Sequence, residues 1–420
     1  MNVELRGLRV TVMGLGRFGG GAGVARWLAE QGARVVVTDL LEPQRLAASL
    51  EPLAGHVARG SVELHLGRHD EADFTGCDLV VANPAVPRPW ENRYLQAAEA
   101  AGVAVTTEIR LLADRLDRRR VIGVTGTAGK STTAAMIHHI LIRAGCPAHL
   151  GGNIGGSLLD TLGAIAPDDR VVVELSSAML YWLGEAAGRA GRPGWSPHVA
   201  AMTNLEPNHL DWHGSFEHYA ACKQQIFRHQ APGDHALVAG ELEAGPPVRL
   251  AIPGKHNQAN ARLAIAAACR GAGLDRARAA AALGDFGGLA HRLQLVAEHG
   301  DLRFYNDSKA TTPQATRLAV EAFDDASAVH VLAGGYDKKI SLSAIVQLAP
   351  RVAGLYTIGT TGRRLAEAVA GEGHAEYCET LEAAAARAYR RMNAGDVLLL
   401  SPGCASWDQF ENYIERGNAF

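Results

Sequence analysis

The sequence predicts an α/β protein of three domains, each a parallel sheet wound with helices, and three observations predict it. A chain of 420 residues with 47% hydrophobic content can bury two or three cores. Short apolar runs (Arg9–Met13, Val121–Val124, Val171–Val173, Val199–Met202) alternate with longer stretches of helical spacing, as in strands covered by helices on both faces. Two runs end in glycine-rich turns that open helices, Gly14-Leu-Gly16-Arg-Phe-Gly19 and Thr125-Gly-Thr-Ala-Gly-Lys-Ser-Thr132. Such junctions hold phosphate groups.

The first domain, residues 1–118, is expected to be Rossmann-like. A strand at Arg9–Met13, a G-x-G-x-x-G turn, a helix and a strand ending on Asp39 satisfy the dinucleotide-binding pattern. Taken alone, this pattern predicts NAD and an oxidoreductase. The turn continues as Gly19-Gly-Gly21-Ala-Gly23. The run Arg115–Arg120 reads equally well as a charged linker or a solvated helix end.

The second domain, residues 119–289, carries a P-loop ATPase-like signature. Gly126 and Gly129 let backbone N–H groups approach an anion, Lys130 supplies a point charge, and Ser131 can offer a hydroxyl to Mg²⁺. The common pattern places glycine at position 124, where this chain has Val. Glu174 closes a short apolar run, so its carboxylate is expected at the carboxyl edge of the sheet, as a metal ligand or a solvated strand end. His209 follows another such run, with Asn208 beside it and His213 four residues on. Its imidazole could join oxygen donors around Mg²⁺ or Mn²⁺, or simply face solvent. Lys223 lies on a probable-helix pattern with Ile226 and Phe227 turned inward; it is either a surface lysine or one desolvated enough to offer a neutral amine. The alanine-rich stretch 259–272 suits a helix. With NDSKAT (306–311), these segments supply what an ATP-consuming ligase needs for a nucleoside triphosphate and its magnesium.

The third domain, residues 290–420, has strands expected at Ala328–Ala333, Gly354–Ile358 and Asp396–Leu400, again Rossmann-like. A net charge of −3 offers no electrostatic case for nucleic acid. The six cysteines form no C-x-x-C pair and no metal-ligand spacing, as expected of reduced thiols. No signal peptide and no apolar run of about 18 residues is visible, which predicts a cytoplasmic protein without a membrane partner.

Ten ordered segments, TGTAGKST, GGNIGGS (151–157), ELSS, NLEPNHLDWH (204–213), the lysine of YAACKQQIF, GKHNQANA (254–261), His291-Arg292, NDSKAT, GGYDKK (334–339) and LSPGCASWDQFENYIERGNAF (400–420), resemble the motifs of the Mur ligase family. The resemblance runs from about residue 8 to the C-terminus. NDSKAT and the closing segment resemble most the branch that joins glutamate to UDP-N-acetylmuramoyl-L-alanine in peptidoglycan synthesis. The resemblance implies that ATP phosphorylates the terminal carboxylate of the nucleotide sugar and that the amine of glutamate attacks the acyl phosphate. It assigns ATP to Gly126, Thr127, Gly129, Lys130, Ser131 and Thr132, with Asn257, Asn260, His291, Arg292 and Asp307 around base and ribose. Mg²⁺ falls to Ser131, Glu174, His209 and a carbamate on Lys223; Lys130, His209 and Lys223 are the implied catalytic groups. The UDP moiety falls to Gly16, Arg17, Asp39, Asn83 and Asn153, and glutamate to Lys309, Thr311, Lys338, Ser406 and Tyr413. A monomer is expected.

Some positions depart from the family pattern. Ala128 stands where Asn is usual, Arg17 and Phe18 replace smaller residues, and Trp407 and Tyr413 crowd the implied glutamate site. A ligase using L-glutamate or another acceptor, a folylpolyglutamate synthase-like ligase, the NAD-dependent oxidoreductase and a nucleotide-binding regulator without turnover remain alternatives.

Overall fold

A computed structural model describes residues 4–16, 20–184, 193–243, 245–369, 371 and 373–420. The first sheet contains β1 (Arg9–Met13), β2 (Arg34–Asp39), β3 (Val62–Leu66), β4 (Leu79–Ala82) and β5 (Ala104–Thr106). All its pairs are parallel, in the order β3-β2-β1-β4-β5. The order reverses at β1, so the glycine turn after β1 opens at a topological switch point. The second sheet contains β6 (Val121–Thr125), β7 (Ala148–Gly152), β8 (Arg170–Glu174), β9 (Val199–Met202) and β10 (His235–Val238). It is also parallel, with the order β10-β9-β6-β8-β7. Its switch point lies at β6, which leads into the second glycine turn.

The apolar runs explain the centre of each sheet. Every residue of β6 and β9 is buried, as two-sided burial of parallel strands requires. Position 124 belongs to β6, where Val124 pairs with Glu174 and is fully enclosed; the absent glycine is therefore a core valine, and the loop bends from Gly126 onward. One hydrophobic cluster joins Val10 and Val12 of the first sheet to Val121, Val173 and Met202 of the second. These sheets accordingly share a compact unit, residues 1–245 with 260–280. The charged run at 115–120 is fastened within that unit. Arg118 pairs with Asp234 at 2.6 Å, Arg120 with Asp168 at 2.8 Å, and the Arg115 guanidinium lies 4.9 Å from the Trp27 ring centre.

Residues 246–259 and 281–420 form the other unit. Its sheet contains β11 (Gln294–His299), β12 (Leu302–Asn306), β13 (Val329–Gly334), β14 (Gly354–Ile358), β15 (Ala375–Glu379) and β16 (Val397–Leu400). The order is β11-β12-β16-β13-β14-β15, with only β11 antiparallel. Strands β12, β16 and β13 are neighbours, so the segments after them (306–311, 401–412 and 334–339) emerge at one edge. That edge gathers the sequence's candidate amino-acid-binding residues. Among the described residues, no helix is long and apolar enough to cross a membrane.

Candidate active site

The second glycine turn is built for close backbone approach. Gly126 has φ 144°, and a Cβ there would lie 1.8 Å from Thr203 Oγ1; Gly129 has φ 81°, and a Cβ there would lie 2.6 Å from Asn260 Oδ1. Neither position accepts a side chain without displacing its neighbour. Asn204 braces the loop, its Oδ1 accepting from the N–H groups of Thr127 (3.1 Å) and Ala128 (2.9 Å). The Thr203 hydroxyl donates to the Ala128 carbonyl at 2.6 Å. The helix Lys130–Arg143 begins directly after Gly129, because the left-handed glycine already turns the chain. Its first intrahelical bond runs from Thr133 N–H to Gly129 O. The N–H groups of Lys130, Ser131 and Thr132 thus form the open first turn, a ready anion site. Lys130 Nζ donates to Thr127 O at 2.9 Å, folded back over the loop that it would leave for a phosphate.

Beside this loop sits an uncompensated carboxylate. Glu174 is 1% exposed at the end of β8. Asn153 Nδ2 donates to its Oε1 at 2.7 Å, whereas Oε2 is buried with no hydrogen-bond partner. A buried carboxylate oxygen left this way costs free energy unless a cation or proton meets it. Lys223, also 1% exposed, reaches the loop from the helix Phe216–Arg228 and donates to Gly126 O at 2.6 Å. Burial, reinforced by the charge of Lys130 and opposed by Glu174, brings its amine down to about 7. Close to half of Lys223 is then neutral at pH 7, the form that the surface-lysine alternative would not provide. His209 is exposed, has φ 50° and caps the short helix Leu210–His213.

One cavity of about 1170 Å³ is lined both by Lys130, Asn153, His209 and Lys223 and by Gly14, Gly16 and Asn83 of the first glycine turn. The turn is shaped by its own contacts. Asn83 Nδ2 donates to Gly14 O at 3.2 Å, and a Cβ on Gly21 would lie 2.4 Å from Leu15 O. Gly21 therefore lets the helix Gly20–Glu30 seat against the loop. Asp39 ends β2. Its carboxylate accepts the N–H groups of Gly16 (3.1 Å) and Leu41 (2.8 Å), and it is not among the cavity's lining residues. Arg17 lies outside the described residues.

In the other unit, Asp307 follows β12 and is held by Ser401 Oγ at 2.8 Å and Leu293 N–H at 3.1 Å. Burial pushes its carboxyl up to about 6. His291, with φ 61°, approaches Gly417 so closely that a Cβ there would lie 2.1 Å from Nδ1, and it precedes Arg292. Lys338 Nζ donates to Thr311 O at 3.3 Å and lies 5.6 Å from the Trp407 ring centre. Lys309 Nζ lies 5.4 Å from the Tyr413 ring centre, and Ser406 is buried just before Trp407. Asn257 is buried and donates Nδ2 to Pro253 O at 2.5 Å; Asn260 follows one turn later on the helix Lys255–Ala272.

Sequence reasoning missed several contributors. Thr203 and Asn204 brace the phosphate loop from about 75 residues away, a role that the position of Asn204 at the head of NLEPNHLDWH did not announce. Glu108 lines the cavity, hydrogen-bonds Ser157 at 2.7 Å and is raised by burial. Arg416, 1% exposed, donates to Ser308 O (2.9 Å), Ser308 Oγ (3.0 Å) and Cys404 O (3.1 Å). It thereby fixes the NDSKAT and C-terminal segments to each other. His213, His218 and Cys222, which no spacing in the sequence singles out, bring three ligand atoms within 4.8 Å of one another.

A glycine cradle on a parallel sheet, with a buried unpartnered carboxylate and a weakly basic lysine, defines the ATP-using ligase class. Known proteins place the chain within it. Residues 8–107 match the N-terminal domain of MurD-like Mur ligases, residues 124–244 the Mur ligase middle domain, and residues 291–404 the Mur ligase glutamate ligase domain. The UDP-N-acetylmuramoylalanine–D-glutamate ligase of Geobacter metallireducens is 36% identical, the alignment covering 100% of this chain and 97% of that protein. Its counterpart from Roseiflexus sp. is 37% identical over 100% and 98%. Among solved structures, the UDP-N-acetylmuramate-alanine ligase MurC of Thermotoga maritima aligns with a TM-score of 0.54 at 19% identity, covering 94% and 96% of the chains; this likeness bears on the fold. The chain belongs to the Mur ligase family, and it is an ATP-dependent, ADP-forming acid–amino-acid ligase.

Proposed function

We propose that this chain adds D-glutamate to UDP-N-acetylmuramoyl-L-alanine at the expense of ATP, a cytosolic step of peptidoglycan precursor synthesis, and that it acts as a monomer. The observation that carries the reading is the shared cavity, in which the first glycine turn and the phosphate loop face the same space. A nucleotide sugar held by Gly14, Gly16 and Asn83 would extend its carboxylate toward Lys130.

Two anions must meet there, and this chain supplies charge to permit it. Lys130 and the first-turn N–H groups attract the triphosphate and become more effective in a site shielded from water. The donor set fits Mg²⁺, because Glu174 Oε2 is a buried oxygen without a partner. Held by Ser131, Glu174, His209 and carbamylated Lys223, Mg²⁺ would offset the charge of the phosphates and the carboxylate. Asn153 fixes the Glu174 carboxylate through Oε1. The neutral amine of Lys223 can add to CO₂, forming an N–C bond and losing a proton, so that a cation becomes an anionic oxygen donor. His209 or the released phosphate accepts the proton that the glutamate amine sheds. Lys309 and Lys338 match the two carboxylates of glutamate, and Asp307 with His291 and Arg292 would grip the nucleotide.

Asp39 weighs against the NAD reading, since its carboxylate already accepts one N–H from the turn, Gly16, and one from Leu41 after β2. Trp407, 63% exposed beside Tyr336 and Lys338, is a bulkier wall than the family pattern has, and a ligase using L-glutamate is the variant it leaves open. Incubation with ATP, Mg²⁺, UDP-N-acetylmuramoyl-L-alanine and each glutamate enantiomer tests both. Phosphate release with the D form alone is expected; release with the L form alone would establish the variant, and silence with both would overturn the substrate assignment.

A further inference from the structure

We propose that His213, His218 and Cys222 form a binding site for a thiophilic d-block cation, zinc in the first place, separate from the oxygen-rich position at Glu174. His218 and Cys222 are four residues apart on the helix Phe216–Arg228 and therefore share a face. His213 comes from the turn before it. His213 Nδ1 lies 3.1 Å from His218 Nδ1, and Cys222 Sγ lies 3.9 Å from that same atom. A tetrahedral ion with bonds of about 2.0 Å to nitrogen and about 2.3 Å to sulfur separates such ligands by about 3.3 and 3.6 Å. Two of the three separations thus already approach ligating values, and all three ligand atoms lie within 4.8 Å of one another.

The surroundings suit that use. The Ser177 hydroxyl lies 2.9 Å from His213 Nε2. With the hydroxyl as acceptor, the ring proton sits on Nε2 and the Nδ1 lone pair is left for an ion, the outer-shell arrangement common at metal-bound histidines. His213 also lines the large cavity, so one of the three ligands borders open space. Two imidazoles and a thiol select zinc or cobalt over magnesium, which prefers oxygen. Binding forms one S–metal bond and displaces the thiol proton to solvent.

The rival account is a hydrogen-bonded His–His–Ser relay without a cation, and one titration separates them. The full chain, with Mg²⁺ in excess and no ATP or sugar nucleotide, is titrated with Co²⁺. One equivalent should produce intense tetrahedral visible bands and a near-ultraviolet thiolate-to-cobalt band, both bleached by Zn²⁺. Cys222→Ala should abolish the thiolate band, and His218→Gln should weaken cobalt binding at least tenfold. If Cys222→Ala does not fold, the wild-type spectrum and His218→Gln carry the test. An octahedral wild-type spectrum lacking the thiolate band, or a band unchanged in Cys222→Ala, overturns the proposal. Since no ligase substrate is present, this result stands apart from that of the enzymatic assay.

Discussion

Replacing Lys223 with Met should change how stability depends on pH. The amine falls from an ordinary 10.5 to about 7 through burial and the charge of Lys130. Between these values the unfolded chain binds the proton and the folded chain does not, so this group makes stability rise with pH across that window. At about 1.4 kcal/mol per pH unit, the protonated lysine costs roughly 5 kcal/mol below pH 7. The penalty begins to fade near pH 7, so about 3 kcal/mol of it is lifted between pH 6 and pH 9. Lys223→Met keeps the aliphatic bulk, removes the titration and leaves every other group in place. Urea unfolding monitored by hydrogen exchange in β6 and β8 measures the local stability of both proteins. The wild type should gain roughly 2–3 kcal/mol more than Lys223→Met over that pH range. Equal pH dependence in the two would refute a neutral buried amine, and with it the chemical basis for carbamylation.

The remaining expectations concern activity and the second unit. Lys130→Ala and Glu174→Ala should each abolish turnover, read as ADP release, because each removes a charge in the phosphate cradle; unchanged rates would dismantle the phosphate-metal account. Lys223→Ala should lose activity and regain part of it with added short-chain carboxylic acids, which can supply the missing anionic oxygen. Asp307→Asn should raise the melting temperature at pH 8 relative to wild type and narrow the difference at pH 5. A carboxyl held at about 6 carries a penalty above pH 6 that is lost as protonation proceeds below it; the same variant should bind ATP more weakly by isothermal titration. His213→Gln should resist acid better than wild type between pH 4 and 6.5, since burial lowers that imidazole to about 4 and its protonation opposes folding in that range.

The sheets were legible wherever apolar runs met glycine. Val121–Thr125 and the following turn announce a strand at a switch point because two-sided burial leaves no polar position, and Gly126 and Gly129 occur where no side chain fits. Glu174 was legible as the carboxylate ending such a strand, but its unpartnered oxygen depends on Asn153 filling the other one. Asn204 opens NLEPNHLDWH, yet its bracing role was not legible, for a loop amide that holds another loop looks like any solvated polar residue; Thr203 belongs to none of the quoted segments. Arg416 was hidden by the expectation that arginine faces water; only the junction of two segments over 100 residues apart encloses it. Asp39 was legible as the acidic end of a strand, but its bonds to the Gly16 and Leu41 N–H groups were not. The His213–His218–Cys222 cluster escaped because one ligand precedes the helix that carries the other two.

The central claim is that the acceptor carboxylate and the γ-phosphate meet in the cavity between the two glycine turns. A crystal soaked with a non-hydrolysable ATP analogue and UDP-N-acetylmuramoyl-L-alanine tests it directly. The account places the triphosphate on the first turn of the helix from Lys130, the diphosphate of the sugar nucleotide at Gly14–Gly16, and the free carboxylate close to the γ-phosphate. A triphosphate bound at the Gly14–Gly16 turn, or a carboxylate pointing away from Lys130 and Glu174, would contradict it.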